Sequence, residues 1–352
     1  MTQYWTDLVK RLSPYVPGEQ RGGDDIVKLN TNENPYPPSP RVMDSIASVS
    51  ADALRKYSDP SSLKLRQSLA HYHAVSSDQV FVGNGSDEVL ALAFMAFFQR
   101  AEPLQFPGIS YSFYPVYCDL LNITQQTIEL NEDFSIPLEQ FGGSCGGIIF
   151  PNPNAPTAIA IDKSRIETLL KNNPDTVILI DEAYADFGAE SCIDLIDTYP
   201  NLVVTRTFSK GRSLAGLRLG AAFGDANLID GLLRVKDSFN SYPVDAIAQA
   251  AGVASLQDET YYRETVNKII DTRKRLINEL ESRDFTVLPS AANFVFARPE
   301  NHDAEQIFTA LDDQNILVRY WNKPTLNNWL RITVGTDPET DRLLAALDNL
   351  AW

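Results

Sequence analysis

Between residues 79 and 224 the chain repeats one pattern, a short apolar run followed by a polar or helix-patterned stretch. The runs are QVFVG, PLQF, TIEL, GGIIF, TVILID, LVVTRT and GLRLGAAFG, with helical periodicity from Ser86 to Gln99 and near 162–171. Apolar runs of this length read as strands buried in a core, and strands that alternate with helices predict an α/β fold around a mainly parallel sheet. In open parallel sheets ligands sit beyond the carboxyl ends of the strands. The residues that close each run are therefore where chemistry is expected.

After about Val244 the texture changes. A long helical region covers roughly 245–282, and two strand-like runs follow, FTVL and NFVFA. A helix near 303–314, the runs ILVRY and LRITVG, and a last helix complete a smaller α+β domain. Ser241-Tyr242-Pro243 reads as a hinge into it. At the other end, residues 4–12 form a short amphipathic helix, a Pro/Gly-rich arm runs through Asn34–Pro40, and 61–75 read as a helix. The expected division is an arm at 1–30, packing with the small domain or a partner subunit, a large domain at 31–244 and a small one at 245–352.

Composition narrows the partners. A formal charge of −16 repels nucleic acid and anionic membrane. A phosphorylated ligand would then need a local cationic pocket set against that field. Cys118, Cys145 and Cys192 have no CxxC spacing, which argues against a zinc site or a disulfide framework and fits a reducing cytoplasm. The N-terminal stretch lacks the uninterrupted apolar core of a signal peptide, and no run of about 18 apolar residues occurs, so a cytoplasmic location is expected. His71 and His73, two apart on a predicted helix, face different sides and make a poor metal pair.

The strand ends share a theme. QVFVG leads into Asn84-Gly85-Ser86-Asp87-Glu88, where glycines permit a tight turn and the next helix offers free N–H groups to an anion. An ordinary strand-to-helix turn with a serine cap reads the same way, and the glycines do not match the dinucleotide pattern GxGxxG. GGIIF leads into Pro151-Asn152-Pro153-Asn154. VILI leads into Asp181, a carboxylate that burial would force to seek a cation such as a protonated pyridine nitrogen, or that merely caps a loop. Tyr184 follows, either a packed aromatic or a hydroxyl donor. LVVTRT leads into Phe208-Ser209-Lys210, and desolvation there would lower the amine's basicity and make it a nucleophile for an aldehyde. Arg218, eight residues later, is placed to grip a phosphate bidentately beside the hydroxyls of Thr207 and Ser209.

The segment Ser209 to Gly220, SK-x-x-x-L-A-G-L-R-x-G, resembles the fold-type I pyridoxal-phosphate aminotransferases of classes I and II. KLNTNENPYPPSP (28–40), KYSDP (56–60), VGNGSDE (82–88), FPNPNAPTA (150–158), IDEAYADF (180–187) and LRITVGT (330–336) carry the likeness along essentially the whole chain, most closely to the histidinol-phosphate branch. The resemblance implies a large domain with a seven-stranded sheet between helices, a small α+β domain, pyridoxal 5′-phosphate as cofactor, and a homodimer in histidine biosynthesis. It implies small-molecule substrates, histidinol phosphate with 2-oxoglutarate or glutamate.

It also implies roles. Lys210 would link to the cofactor and carry the proton between carbons. Asp181 would pair with the ring nitrogen, Tyr184 would bond the ring oxygen and Tyr111 would stack on the ring. Backbone groups of Ser86 and Asp87, with Thr207, Ser209 and Arg218, would cup the phosphate, and Tyr57 would reach the phosphate held by the other subunit. Arg331 would hold the substrate's acid group, and Arg319 and Tyr36 would help with the substrate phosphate. The family's Asn-Pro-Thr-Gly reads Ala155-Pro156-Thr157-Ala158 here. The asparagine expected at the ring oxygen is therefore missing, with Asn154 preferred over Asn152 as its substitute, and Ala158 stands where the turn has glycine. Aromatic amino-acid transamination, threonine-phosphate decarboxylation and a non-catalytic regulator on the same fold are the rival readings.

Overall fold

A computed structural model describes residues 3–23 and 25–350. Its strands in chain order are β1 (Val27–Lys28), β2 (Val80–Asn84), β3 (Leu104–Pro107), β4 (Gln125–Ile128), β5 (Gly147–Pro151), β6 (Ile178–Asp181), β7 (Leu202–Thr207), β8 (Leu219–Gly224), β9 (Phe285–Val287), β10 (Phe294–Pro299), β11 (Ile316–Leu317), β12 (Arg319–Tyr320) and β13 (Leu330–Thr333). Seven of them form one sheet in the order β2-β8-β7-β6-β5-β3-β4. It is parallel from β4 to β7, and β8 runs antiparallel to both its neighbours. The mainly parallel α/β sheet expected from the alternation is what the chain forms.

Both faces of this sheet are covered, which is why its strands read as unbroken apolar runs. Successive side chains on a strand point to opposite faces. Ile148, Phe150, Ile178, Ile180 and Val204 enter one apolar layer. Ile149, Leu179 and Val203 enter the other. The helical pattern from Ser86 resolves into an α-helix, Gly85–Ala93, continued by a π turn at Phe94–Phe98.

The helical region after residue 244 is two helices, Ala246–Leu256 and Glu259–Glu281, with Asp258 capping the second. They serve different cores. Ala248, Ala251 and Leu256 pack into the layer beneath the large sheet. Val266, Ile269, Leu276 and Leu280 pack with Val295, Ile332 and Leu343 in a separate core. That second core backs an antiparallel sheet of order β12-β13-β10-β9. Val27 and Leu29 also belong to it, because β1 pairs in parallel with β11. The segment leaving β1 thus starts in the small sheet's core and runs toward the large one.

Candidate active site

A cavity of about 850 Å³ opens where β5, β6 and β7 end, bounded there by Pro151, Asp181 and Thr207. Lys210 stands in the turn after β7, and its Nζ donates to the Thr31 carbonyl at 3.1 Å. Burial, reinforced by the charge of Arg331, pushes its pKa down to about 8, with Glu33 and Asp87 acting in the opposite sense. An amine near neutrality is a competent nucleophile.

Asp181 ends β6 in register with Thr205. Its carboxylate accepts from the Tyr114 hydroxyl at 3.2 Å, the Ala183 N–H at 3.2 Å and the Thr205 hydroxyl at 3.3 Å. None of these donors is a cation, so burial prevails and raises the pKa to about 6. Tyr184 meets Phe294 edge-on at 5.0 Å between ring centroids, and Lys210 Nζ lies 5.7 Å from the centre of its ring.

The anion cup is built from backbone. The first N–H groups of the helix Gly85–Ala93, among them those of Ser86 and Asp87, have no carbonyl one turn earlier to bond. Gly85 takes φ +80 there, and a side chain on it would strike Arg218 at 2.6 Å. Gly220 on β8 backs the same turn, since a Cβ at that position would lie 2.5 Å from the Ser86 nitrogen. Asp87 ties the rim together, accepting from Arg218 at 3.1 Å and from the Tyr111 hydroxyl at 2.9 Å.

On the opposite wall Arg319 and Arg331 face each other across β12 and β13. Each guanidinium lies 5.3 Å from the Trp321 ring centre. Arg331 donates to the Asn30 carbonyl at 2.7 Å, while its buried Nε has no hydrogen-bond partner among the described residues. An anionic group on a ligand would supply one.

Ser86, Asp87, Tyr111, Asp181, Tyr184 and Thr207 line this single cavity, as do Ser209, Lys210, Arg218, Arg319 and Arg331. Three anticipated residues do not. Asn154 turns its amide nitrogen inward to the Ile109 carbonyl and the Thr157 hydroxyl, both at 3.1 Å, and Ala155 lines the cavity instead. Cavity-lining position follows the chain's register, and that register exposes the alanine. Tyr36 packs on the small sheet's core with Lys268 5.4 Å from its ring centre. Tyr57 is 83% exposed and stacks on Tyr242 at 4.5 Å, away from its own chain's cavity. Ala158 takes φ 65, the left-handed conformation for which glycine is the usual choice.

Residues that sequence reasoning passed over also line the cavity, among them Tyr15, Thr31, Asn32, Glu33, Trp321 and Lys323. The signal for three of them was the polar run Asn30–Asn34 shortly after β1. Tyr114, wholly buried against Asp181, carried no signal apart from being one aromatic among several.

The donor set suits pyridoxal 5′-phosphate. Free N–H groups and an arginine wait at one end, a buried carboxylate without a cation at the other, and an amine of lowered basicity between them. The family described as aminotransferase class I and II matches residues 24–347. Histidinol-phosphate aminotransferase 1 of Hydrogenovibrio crunogenus is 54% identical over 350 residues, 99% of this chain and 98% of that protein. The histidinol-phosphate aminotransferase of Chromohalobacter salexigens is 50% identical, with 99% of each chain covered. Among solved structures, the Sinorhizobium meliloti histidinol-phosphate aminotransferase in complex with pyridoxal-5′-phosphate has a TM-score of 0.89 at 26% identity, covering 100% of this chain and 99% of that one.

Proposed function

Because this chain belongs to the class I and II aminotransferases, we propose that it moves the amino group of L-histidinol phosphate to 2-oxoglutarate, with pyridoxal 5′-phosphate linked to Lys210. Transamination of histidinol phosphate in histidine biosynthesis is the function of its close relatives and of this chain, and pyridoxal phosphate is the cofactor. The observation that carries the residue assignment is the placing of Lys210, its pKa lowered to about 8, in one cavity with the cation-free carboxylate of Asp181 and the N–H cup at Ser86.

Bound there, the cofactor supplies an aldehyde for amines and a ring that accepts the electron pair left at Cα. The chain does the rest. The Ser86 and Asp87 N–H groups, Thr207, Ser209 and Arg218 would hold the cofactor's phosphate. Asp181 would keep a proton on the ring nitrogen, and that cation would in turn favour the ionised form of the Asp181 carboxylate. Lys210 Nζ would be the base that takes the substrate's Cα proton and the acid that returns it. Arg331 and Arg319 hold the acid group of each substrate in turn, the phosphate of one and a carboxylate of the other, with the unpaired Arg331 Nε as a donor in reserve.

The test is spectroscopic. L-histidinol phosphate should convert the bound cofactor to its amine form, and 2-oxoglutarate should restore it. A cofactor that ignores histidinol phosphate and responds to phenylalanine assigns the chain to aromatic amino acids instead. In Lys210→Ala the cofactor should bind without becoming reducible onto the chain by borohydride; a reducible link in that variant removes Lys210 from its role.

The reading extends to assembly. Tyr57 stands exposed beside Tyr242, and Leu54 and Phe239 are exposed as well. Aromatic and aliphatic exposure of this kind suits a homodimer in which Tyr57 reaches the partner's cofactor phosphate. No helix among the described residues is long and apolar enough to cross a membrane. The three unpaired cysteines fit a reducing cytoplasm.

A further inference from the structure

The polar run after β1 touches the cavity's chemistry residue by residue. The Asn30 carbonyl accepts from Arg331 and the Thr31 carbonyl from Lys210. Asn34 Nδ2 donates to the Lys210 carbonyl at 2.9 Å. Asn32 lies between them, 1% exposed and in the left-handed conformation at φ 56, which asparagine tolerates better than most residues. Its Nδ2 donates to the Tyr184 hydroxyl oxygen at 3.0 Å.

The direction of that bond follows from the neighbours. Thr333 Oγ1 accepts from the Asn32 backbone N–H at 3.0 Å and donates its own proton to Asn32 Oδ1 at 3.0 Å. Turning the amide over would give the Thr333 oxygen a second donor and leave the Thr333 proton without the acceptor it has in Asn32 Oδ1. Both groups are buried, so the mismatch would cost about 1–3 kcal/mol for the unsatisfied group. Asn293 fixes the backbone of the same residue by donating to the Asn32 carbonyl at 3.0 Å. With Nδ2 a donor, the Tyr184 oxygen accepts, and the one proton on that hydroxyl has to point elsewhere. Tyr184 lines the cavity, and the open direction is the cavity itself.

We propose that Asn32 is a positioning residue that fixes Tyr184 as a hydrogen-bond donor into the cavity, toward the ring oxygen of the cofactor. The inference rests on the cofactor reading above and deepens it. It also accounts for how the chain manages with Ala155 where the family's ring-oxygen asparagine stands. The remaining hydroxyl cannot swing away, because a buried amide occupies its acceptor side. The charged and titratable groups that face Tyr184 are Arg331 on β13, Asp181 at the end of β6, Lys210 after β7, Tyr111 and Tyr15 of the arm. None of them takes over the role of Asn32 as the donor to its oxygen.

The readout is the pH midpoint of the bound cofactor's visible absorption band, which follows loss of the proton between the Lys210 link and the ring oxygen. A donor at that oxygen stabilises its negative charge and lowers the midpoint. Tyr184→Phe, which deletes the donor, should raise it. Asn32→Asp keeps the shape and replaces a donor with an acceptor, so the Tyr184 proton should turn toward residue 32 and the midpoint should rise by about one unit. Combined with Tyr184→Phe, it should add nothing further. Thr333→Val, which releases the amide's orientation, should move the midpoint the same way by less and serves if Asn32→Asp does not fold. A shifted Tyr184→Phe beside unshifted Asn32→Asp and Thr333→Val variants, or shifts at 32 and 184 that simply add, overturns the role of Asn32 alone. An unshifted Tyr184→Phe overturns the donor role of Tyr184, and the role of Asn32 with it, while leaving Lys210 to the borohydride test.

Discussion

Two side chains of the cavity have proton affinities displaced in opposite directions, and each displacement makes a prediction for the cofactor-free protein. Asp181 titrates near 6 instead of near 3.8, because burial outweighs its three neutral donors. The folded state therefore holds a proton that the unfolded chain has released. The stability this gives is complete below the unfolded value and is lost as pH rises through about 6. Asp181→Asn should abolish that loss, so the cofactor-free variant should melt above the cofactor-free parent at pH 7.5 and show a smaller difference at pH 4. With cofactor, the same variant should lose turnover by about 100-fold or more, since nothing then holds the ring proton. Lys210 has the reverse sign. Between about 8 and the ordinary lysine value of 10.5 the unfolded chain binds a proton that the folded chain does not. Stability from this site rises with pH across that window, and Lys210→Met should flatten the rise in thermal melts at pH 8 and 10.

At the scale of elements, the cup depends on β8 lying hard against the start of the helix Gly85–Ala93. Gly220→Ala places a methyl 2.5 Å from the Ser86 nitrogen and 2.6 Å from the Gly85 carbonyl carbon, and backbone cannot yield as a side chain tip can. Cofactor affinity should fall about tenfold or more, measured by fluorescence titration of the cofactor-free protein, while the melting temperature without cofactor falls by only a few degrees. Strands were the most legible elements because burial on both faces leaves an unbroken apolar run, as in GIIFP and ILID. Helices with one wet face were legible too. What lay hidden was decided by contacts far along the chain. Asn32 means little until Tyr184, 152 residues away, is brought to it, and Tyr114 means little until Asp181 is. Asn154 is a related case: its amide nitrogen goes to the backbone carbonyl of Ile109, a contact that nothing beside it in the motif signals. The break at Gln257–Asp258 was likewise masked by residues that suit a helix on both sides, and only the change of core partner there reveals it.

For the whole molecule, the exposed Tyr57–Tyr242 stack predicts an assembly in which each cavity is completed from outside. Light scattering should give twice the chain mass of 39.2 kDa. Tyr57→Phe should weaken cofactor retention several-fold without dissociating the pair, and mixing Lys210→Ala with Tyr57→Phe chains should restore fewer working sites than parental chains supply. A monomer that retains cofactor and full turnover would remove Tyr57 from the site.

The antiparallel seat of β8 also sets a clock. Arg218 and Asp87, which meet across the cup, are 131 residues apart in the chain. A ribosome adding about 5–20 residues per second releases the first half of the cup on the order of ten seconds before the second. Throughout that interval β2 lacks the strand it pairs with in the finished sheet, and the new helix end has neither arginine nor lysine beside it. Loading with cofactor therefore waits until β8 has emerged, and a chain that stalls before it has only half a cup to offer the phosphate.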